Sequence, residues 1–166
     1  MFPCPPYYSA KALAISAIAL RGRRSHSIVD DPRVLRAPAD PYRVGTPYYT
    51  RGGGLLELPI GVTRGTSARF AYIGTTLILG GERGAAWLTR RIVGRPLVNL
   101  ELHGIDLADC AEDGLEFLRP HQLDLRLSLD RKRTALETAI WILRGAGYEF
   151  VTLSRAAEHF GERRER

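Results

Sequence analysis

A histidine closes an alternating apolar stretch of this chain. In "LVNLELHGID", residues 97–106, Val98, Leu100 and Leu102 alternate with Asn99 and Glu101, and His103, Gly104 and Asp106 follow. The period of two is that of a strand with one buried face. The carboxyl end of such a strand is where α/β proteins carry their chemistry. His103 is therefore either a catalyst, giving or taking a proton near neutral pH, or a histidine satisfied within the core. A metal cluster of His103, Asp106 and Asp109 has suitable atom types, but mixed ligands at i, i+3 and i+6 match no recognised ligand spacing.

Three other stretches invite a chemical reading. "PRVLRAPADPYR", residues 32–43, is stiffened by proline and offers Arg36, Arg43 and Tyr42 as donors and a stacking face for polar ligands such as sugars. The plainer alternative is a surface loop packed by its own prolines. "ILGGERGAAWL", residues 78–88, has the glycines of a phosphate loop but fits neither GxGxxG nor GxxxxGK[ST], so a tight turn opening a helix explains it better. Ser25–His26–Ser27 sets hydroxyls beside a base, yet neighbours in sequence rarely face one another, and a loop histidine is the simpler reading.

The elements that must position these residues follow from the pattern. Residues 1–9, "MFPCPPYYS", are too proline-rich for a helix or a central strand. Ser9 can cap a helix over residues 10–20 with one buried face, ended by Gly22. Residues 23–54 form a long irregular region whose tyrosines, Tyr42, Tyr48 and Tyr49, imply packing on a surface or a substrate. Residues 55–63 read as a buried strand with Pro59 at an edge, bulge or end, and residues 70–79 as a short strand or extended turn. A helix near residues 84–93 sets Trp87, Leu88 and Ile92 on one face, and the strand 97–103 follows it. Asp130 can cap a helix over residues 131–144 with Leu136, Ile140 and Leu143 in line, stopped by Gly145 and Gly147. A strand over residues 148–153 and a helix over residues 155–160, capped by Ser154, complete an order of strand, helix, strand, helix, strand, helix. That order predicts a parallel α/β arrangement in a single domain: 1–54 as helix and loop, 55–161 as the α/β part, 162–166 as a basic tail.

Composition narrows the function classes. The chain has 166 residues and a formal charge of +6, yet its basic residues are scattered and are all arginine apart from Lys11 and Lys132. Small clusters stand at residues 21–24 and 163–166, and no basic stripe interleaved with aromatics points to nucleic acid. Cys4 and Cys110 lie far apart, outside any CxxC or metal spacing, and read as two thiols. "ALAISAIAL", residues 12–20, is too short to span a bilayer and is followed rather than preceded by arginines, the reverse of a signal peptide. A cytoplasmic location without a membrane span is the expectation.

The succession "FPCPPYY", "DPRVLRAPADPYR", "GLLELPIGV", "YIGTTL", "RPLVNLELHGIDLAD" and "RKRTALETAIWILRGAGYEFVTL" resembles the C-terminal part of a polysaccharide deacetylase, the NodB-homology family or carbohydrate esterase family 4. The likeness covers essentially the whole chain and is sharpest where a strand ends in "LHG" before a long helix and "YEFVTL". It implies a partial distorted (β/α) barrel with mostly parallel strands and a long N-terminal loop region. It also implies an activity: hydrolytic removal of N-acetyl groups from amino-sugar polymers or glycolipids.

Family enzymes hold zinc or another divalent metal on one aspartate and two histidines. By the resemblance His103 is the general acid toward the leaving amine, and general acids contribute roughly 10²–10⁴-fold to rate. Arg36, Tyr42 and Arg43 would meet the substrate. Glu101 stands where the family's last motif commonly has leucine, so Leu102 is left to line the acetyl pocket. The family's T-F-D-D and H-[ST]-x-x-H motifs, which carry base and metal ligands, are absent from this sequence; "HSIVD", residues 26–30, only mimics the second. No cofactor is therefore expected on this chain, which should be inactive by itself. Its expected partners are an N-acetylated carbohydrate, a second copy, or a segment carrying the missing half. A non-catalytic carbohydrate-binding or interaction module is the alternative.

Overall fold

The computed structural model describes residues 3–22, 24, 31–65 and 69–162. Ser25–His26–Ser27, the "HSIVD" stretch and the basic tail at 163–166 lie outside the described residues.

Helix α1 (Pro5–Leu20) begins earlier than residue 10, on Pro5 and Pro6 themselves, with Cys4 as its N-cap. Proline suits the first turn of a helix, where the missing N–H would have no partner and the fixed φ is already helical. The expected buried face is not there. No residue of α1 is buried, and Leu13 and Leu20 are 71% and 89% exposed.

The expected parallel (β/α) barrel does not form. The sheet found among the described residues has two strands, β1 (Tyr42–Val44) and β2 (Arg51–Glu57), paired antiparallel with Tyr42 opposite Glu57 and Arg43 opposite Leu56. This hairpin occupies the region read as irregular. It closes because its glycines let the strands approach: a Cβ at Gly52 would lie 2.5 Å from the Gly45 Cα, and one at Gly54 would lie 2.6 Å from the Val44 carbonyl.

The strand read over residues 55–63 is divided. Leu55–Glu57 ends β2, Pro59 offers no N–H for a ladder, and Val62 makes one antiparallel bridge to Ala71. Residues 97–103 run extended and make one parallel bridge, Ile73 to Glu101. The strand read over 148–153 is absent: Tyr148 donates its N–H back to Leu143, closing the preceding helix, and Phe150 and Val151 are exposed. An extended segment becomes a strand only beside another, and among the described residues no third neighbour propagates these single bridges.

Helix α2 (Gly74–Ile92) is longer than the predicted 84–93 because two helical stretches meet at Gly81, where φ of 60° is open to glycine. Helix α3 (Leu129–Gly145) is capped by Ser128, whose hydroxyl accepts from the Arg131 N–H, with Asp130 one residue inside rather than at the cap. Helix α4 (Leu153–Glu162) follows. The core is the contact between α2 and α3: Leu77, Ile78, Ala85, Leu88 and Ile92 meet Ala135, Leu136, Ala139 and Leu143, with Tyr72 beneath them. Trp87 and Ile140, predicted to join these faces, are 44% and 36% exposed. A smaller cluster of Cys4, Ala39, Val62, Ala71 and Ile73 ties the N-terminal region to the extended segments. Among the described residues, no helix is long and apolar enough to cross a membrane.

Two predictions follow from the burial pattern. Leu77 is fully buried, so Leu77→Ala should cost about 2–5 kcal/mol in urea unfolding, whereas Leu13→Lys on α1 should stay within about 0.5 kcal/mol of the parent. The Tyr72 hydroxyl lies 2.8 Å from Thr89 Oγ1, and burial pushes its pKa up to about 12. A phenol raised when folded holds its proton longer than the unfolded chain does, so stability falls as pH climbs through the window from about 10 to 12. The loss amounts to roughly 3 kcal/mol. Thermal unfolding followed across that window should show this loss, and Tyr72→Phe should flatten it.

Candidate functional site

His103 ends the segment 97–103, which makes one bridge rather than the strand expected there, and 60% of its side chain is exposed. Three bonds fix that segment. The Gly61 N–H donates to Asn99 O at 2.8 Å, Asn99 Nδ2 donates to Leu58 O at 2.9 Å, and the Gly74 N–H donates to Glu101 O at 2.8 Å. Val98 and Leu100 pack against the α2–α3 core. Because Gly74 opens α2, the helix start and His103 lie at the same end of these segments.

The turn after His103, a 3₁₀ turn over Gly104–Leu107, is held from below by two buried charged side chains. Asp106 is fully buried; its Oδ2 accepts the His103 N–H at 2.8 Å and lies 3.8 Å from His103 Nδ1. Its other oxygen, Oδ1, has no hydrogen-bond partner among the described residues. Lys132 of α3, also fully buried, donates from Nζ to Ala108 O at 2.7 Å and to Ile105 O at 3.1 Å. Gly74 makes the room: a Cβ there would overlap Asp106 Oδ2 and press on Leu102 Cδ2. The arrangement presents an imidazole to solvent on a rigid backbone, with a carboxylate behind it. It can donate or accept a proton at His103.

The metal implied by the family resemblance does not fit the residues present. Among the described residues no group of three His, Cys, Asp or Glu side chains converges. Asp109, the third member of the sequence cluster, uses Oδ1 to accept the N–H groups of Ala111 and Glu112. Those bonds, the Glu112 one foremost, hold its carboxyl below the usual carboxylate range.

The substrate residues named from sequence divide. Leu102 is beside His103 and 46% exposed. Arg36 is exposed and lines a cleft of about 400 Å³ with Arg33, Pro38, Tyr49, Thr50 and Arg51. Tyr42 is buried, its hydroxyl donating to Tyr48 O at 3.1 Å and its ring facing Arg51. Arg43 reaches across the hairpin to Gly54 O at 3.3 Å. Sequence reasoning missed Gly74 and Lys132 altogether. Lys132 had a signal: it is one of two lysines in an arginine-rich chain, and a compact ammonium fits a buried carbonyl site better than a planar fork.

No protein-family profile, no curated protein and no solved structure matches this chain.

Gly74→Ala should displace the Asp106 carboxylate, cost about 1–3 kcal/mol in chemical denaturation and shift the His103 amide resonance in ¹H–¹⁵N NMR spectra. Gly104→Ala, where a Cβ meets nothing within 4 Å, should do neither. Equal behaviour of the two variants would show that the Gly74–Asp106 contact does not hold the turn.

Proposed function

We propose that this chain is polysaccharide deacetylase-like, the acid-bearing part of a hydrolase that removes N-acetyl groups from amino-sugar polymers or glycolipids. The observation that carries the reading is His103: an exposed imidazole at the end of an extended segment, on a backbone whose N–H is fixed by buried Asp106. In amide cleavage the nitrogen must be protonated before it leaves. An imidazolium at His103 would give its proton to that nitrogen as the C–N bond breaks, then regain one from solvent. Leu102, exposed beside it, offers an apolar wall for the acetyl methyl. Metal and base would come from residues outside this sequence, and the chain alone should release no acetate.

A second reading has its own observation. The Arg33, Arg36, Tyr49 and Arg51 cleft suits a carbohydrate-binding module without catalysis.

Titrating the ¹⁵N-labelled chain with an N-acetylglucosamine tetramer separates the two. Deacetylase-like function predicts shifts at Leu102, His103 and Gly104 that His103→Ala abolishes while leaving unfolding within about 0.5 kcal/mol of the parent. Shifts confined to residues 33–51 would transfer the function to the cleft. A chain unmoved by sugar up to about 10 mM, weaker than millimolar binding, would defeat both readings.

A further inference from the structure

Another cleft lies away from these residues in sequence and is built from different elements. It measures about 640 Å³ and is lined by Arg64, Gly65, Trp87, Arg90 and Arg91. Trp87, Arg90 and Arg91 stand at i, i+3 and i+4 on the last turns of α2, so they share one face.

Two of the three guanidinium groups are held in place before any ligand arrives. Arg91 lies over the Trp87 ring at 4.8 Å, and Trp87 is braced edge-on by Phe70 at 5.5 Å. Arg64 donates its backbone N–H to Arg91 O at 2.9 Å and its Nη1 to Val93 O at 3.1 Å. It rests on Gly94, where φ is +95° and a Cβ would come within 2.5 Å of Nη1. The Gly94 turn is in turn pinned by Tyr148, whose hydroxyl accepts the Gly94 N–H at 2.9 Å and donates to Arg95 O at 2.7 Å.

None of Arg64, Arg90 and Arg91 is in an ion pair with a carboxylate among the described residues; the arginines so paired are Arg33, Arg95, Arg133 and Arg155. A helix C-terminus favours nearby cations, which accounts for Arg90 and Arg91 as charges. It does not account for Arg64 converging on them from another segment, or for the aromatic support. Fixed, unpaired guanidinium forks are the chemistry of oxyanion recognition, and phosphate is the oxyanion whose charge answers several of them at once.

We infer that this cleft binds a phosphate-bearing ligand, its oxygens taken by Arg64, Arg90 and Arg91 and its attached group set against Trp87. Volume and lining admit a soluble organic phosphate or the headgroup of a phosphorylated lipid. This inference is independent of the role of His103.

The chain has two tryptophans, so Trp141→Phe, at a position 79% exposed, leaves Trp87 as the reporter. Pyrophosphate added at constant ionic strength should change Trp87 emission and saturate at or below about 1 mM. Arg90→Gln/Arg91→Gln should weaken that binding at least about tenfold, the loss expected for charge-assisted hydrogen bonds. Arg90→Lys/Arg91→Lys should also weaken it, because the charge stays and the fork is lost. Thermal melts superimposable on the parent would show that the folds are intact.

Phosphatidylcholine vesicles with and without phosphatidic acid then separate the sources. Displacement from phosphatidic acid vesicles by pyrophosphate assigns the headgroup; pyrophosphate binding without vesicle binding assigns a soluble phosphate. An unresponsive Trp87, a lysine variant as tight as the parent, or vesicle binding that pyrophosphate does not displace would overturn the inference.

Discussion

An ammonium group cut off from water must be solvated by the protein, and that requirement at Lys132 joins the two halves of this molecule. Helix α3 packs against α2 through Ala135, Leu136, Ala139 and Leu143, and Lys132 lies at the start of that buried face with no exposed surface. Its ammonium donates to the carbonyls of Ile105, within the turn following His103, and of Ala108, which ends it. Burying an ion without partners costs several kcal/mol, so α3 cannot dock on α2 at low cost unless the turn is in place to receive it. Core packing and site geometry are thus coupled through one side chain.

A comparable substitution of side chain for ladder holds the extended segments. Where a barrel would use strand pairing, this chain has two single bridges and a clasp: Arg95 donates to Val62 O at 2.7 Å and Thr63 O at 3.2 Å and pairs with Asp40 at 2.9 Å. The guanidinium fork donates to three acceptors, two backbone carbonyls and a carboxylate, and so ties these segments together in place of a strand ladder. Residues 59–63, 70–73 and 97–103 therefore lie side by side without becoming a sheet, and the end of the last one still presents His103 as a strand end would.

What could be read in the sequence was local. Alternation through Val98 and Leu100 marked side chains that pack on the core, although Leu102 is exposed and the strand read there does not form, and the spacing of Leu136 and Leu143 identified α3. Partnership could not be read there. Residues 58–63 and 148–153 read as strand but lie in no strand of the described residues, and the "RGGGLLE" of β2 has loop composition over most of its length but a hairpin partner in Tyr42–Val44. Helix α2 was foreshortened because its glycines read as a tight turn opening the helix, whereas a second helical stretch precedes the break at Gly81 and packs Leu77 and Ile78 into the core shared with α3. At the site the same limit applied. His103 and Asp106 stood three residues apart in plain view, but their connection to Gly74 and Lys132 is made by the fold alone.

That connection also explains how Asp106 is tolerated. A carboxylate with one oxygen, Oδ1, lacking a partner among the described residues is costly inside a protein. Here the turn that receives it also receives the Lys132 ammonium through its carbonyls, so charges of opposite sign are buried against one short segment. The remaining cost is set against position: Oδ2 fixes the His103 backbone, and Gly74 is small enough to let it do so. A core optimised only for stability would have no reason to keep a half-satisfied acid directly beneath an exposed imidazole. Under the role proposed for His103, that acid would hold the backbone of the proton-transferring residue still while its imidazole stays open to solvent.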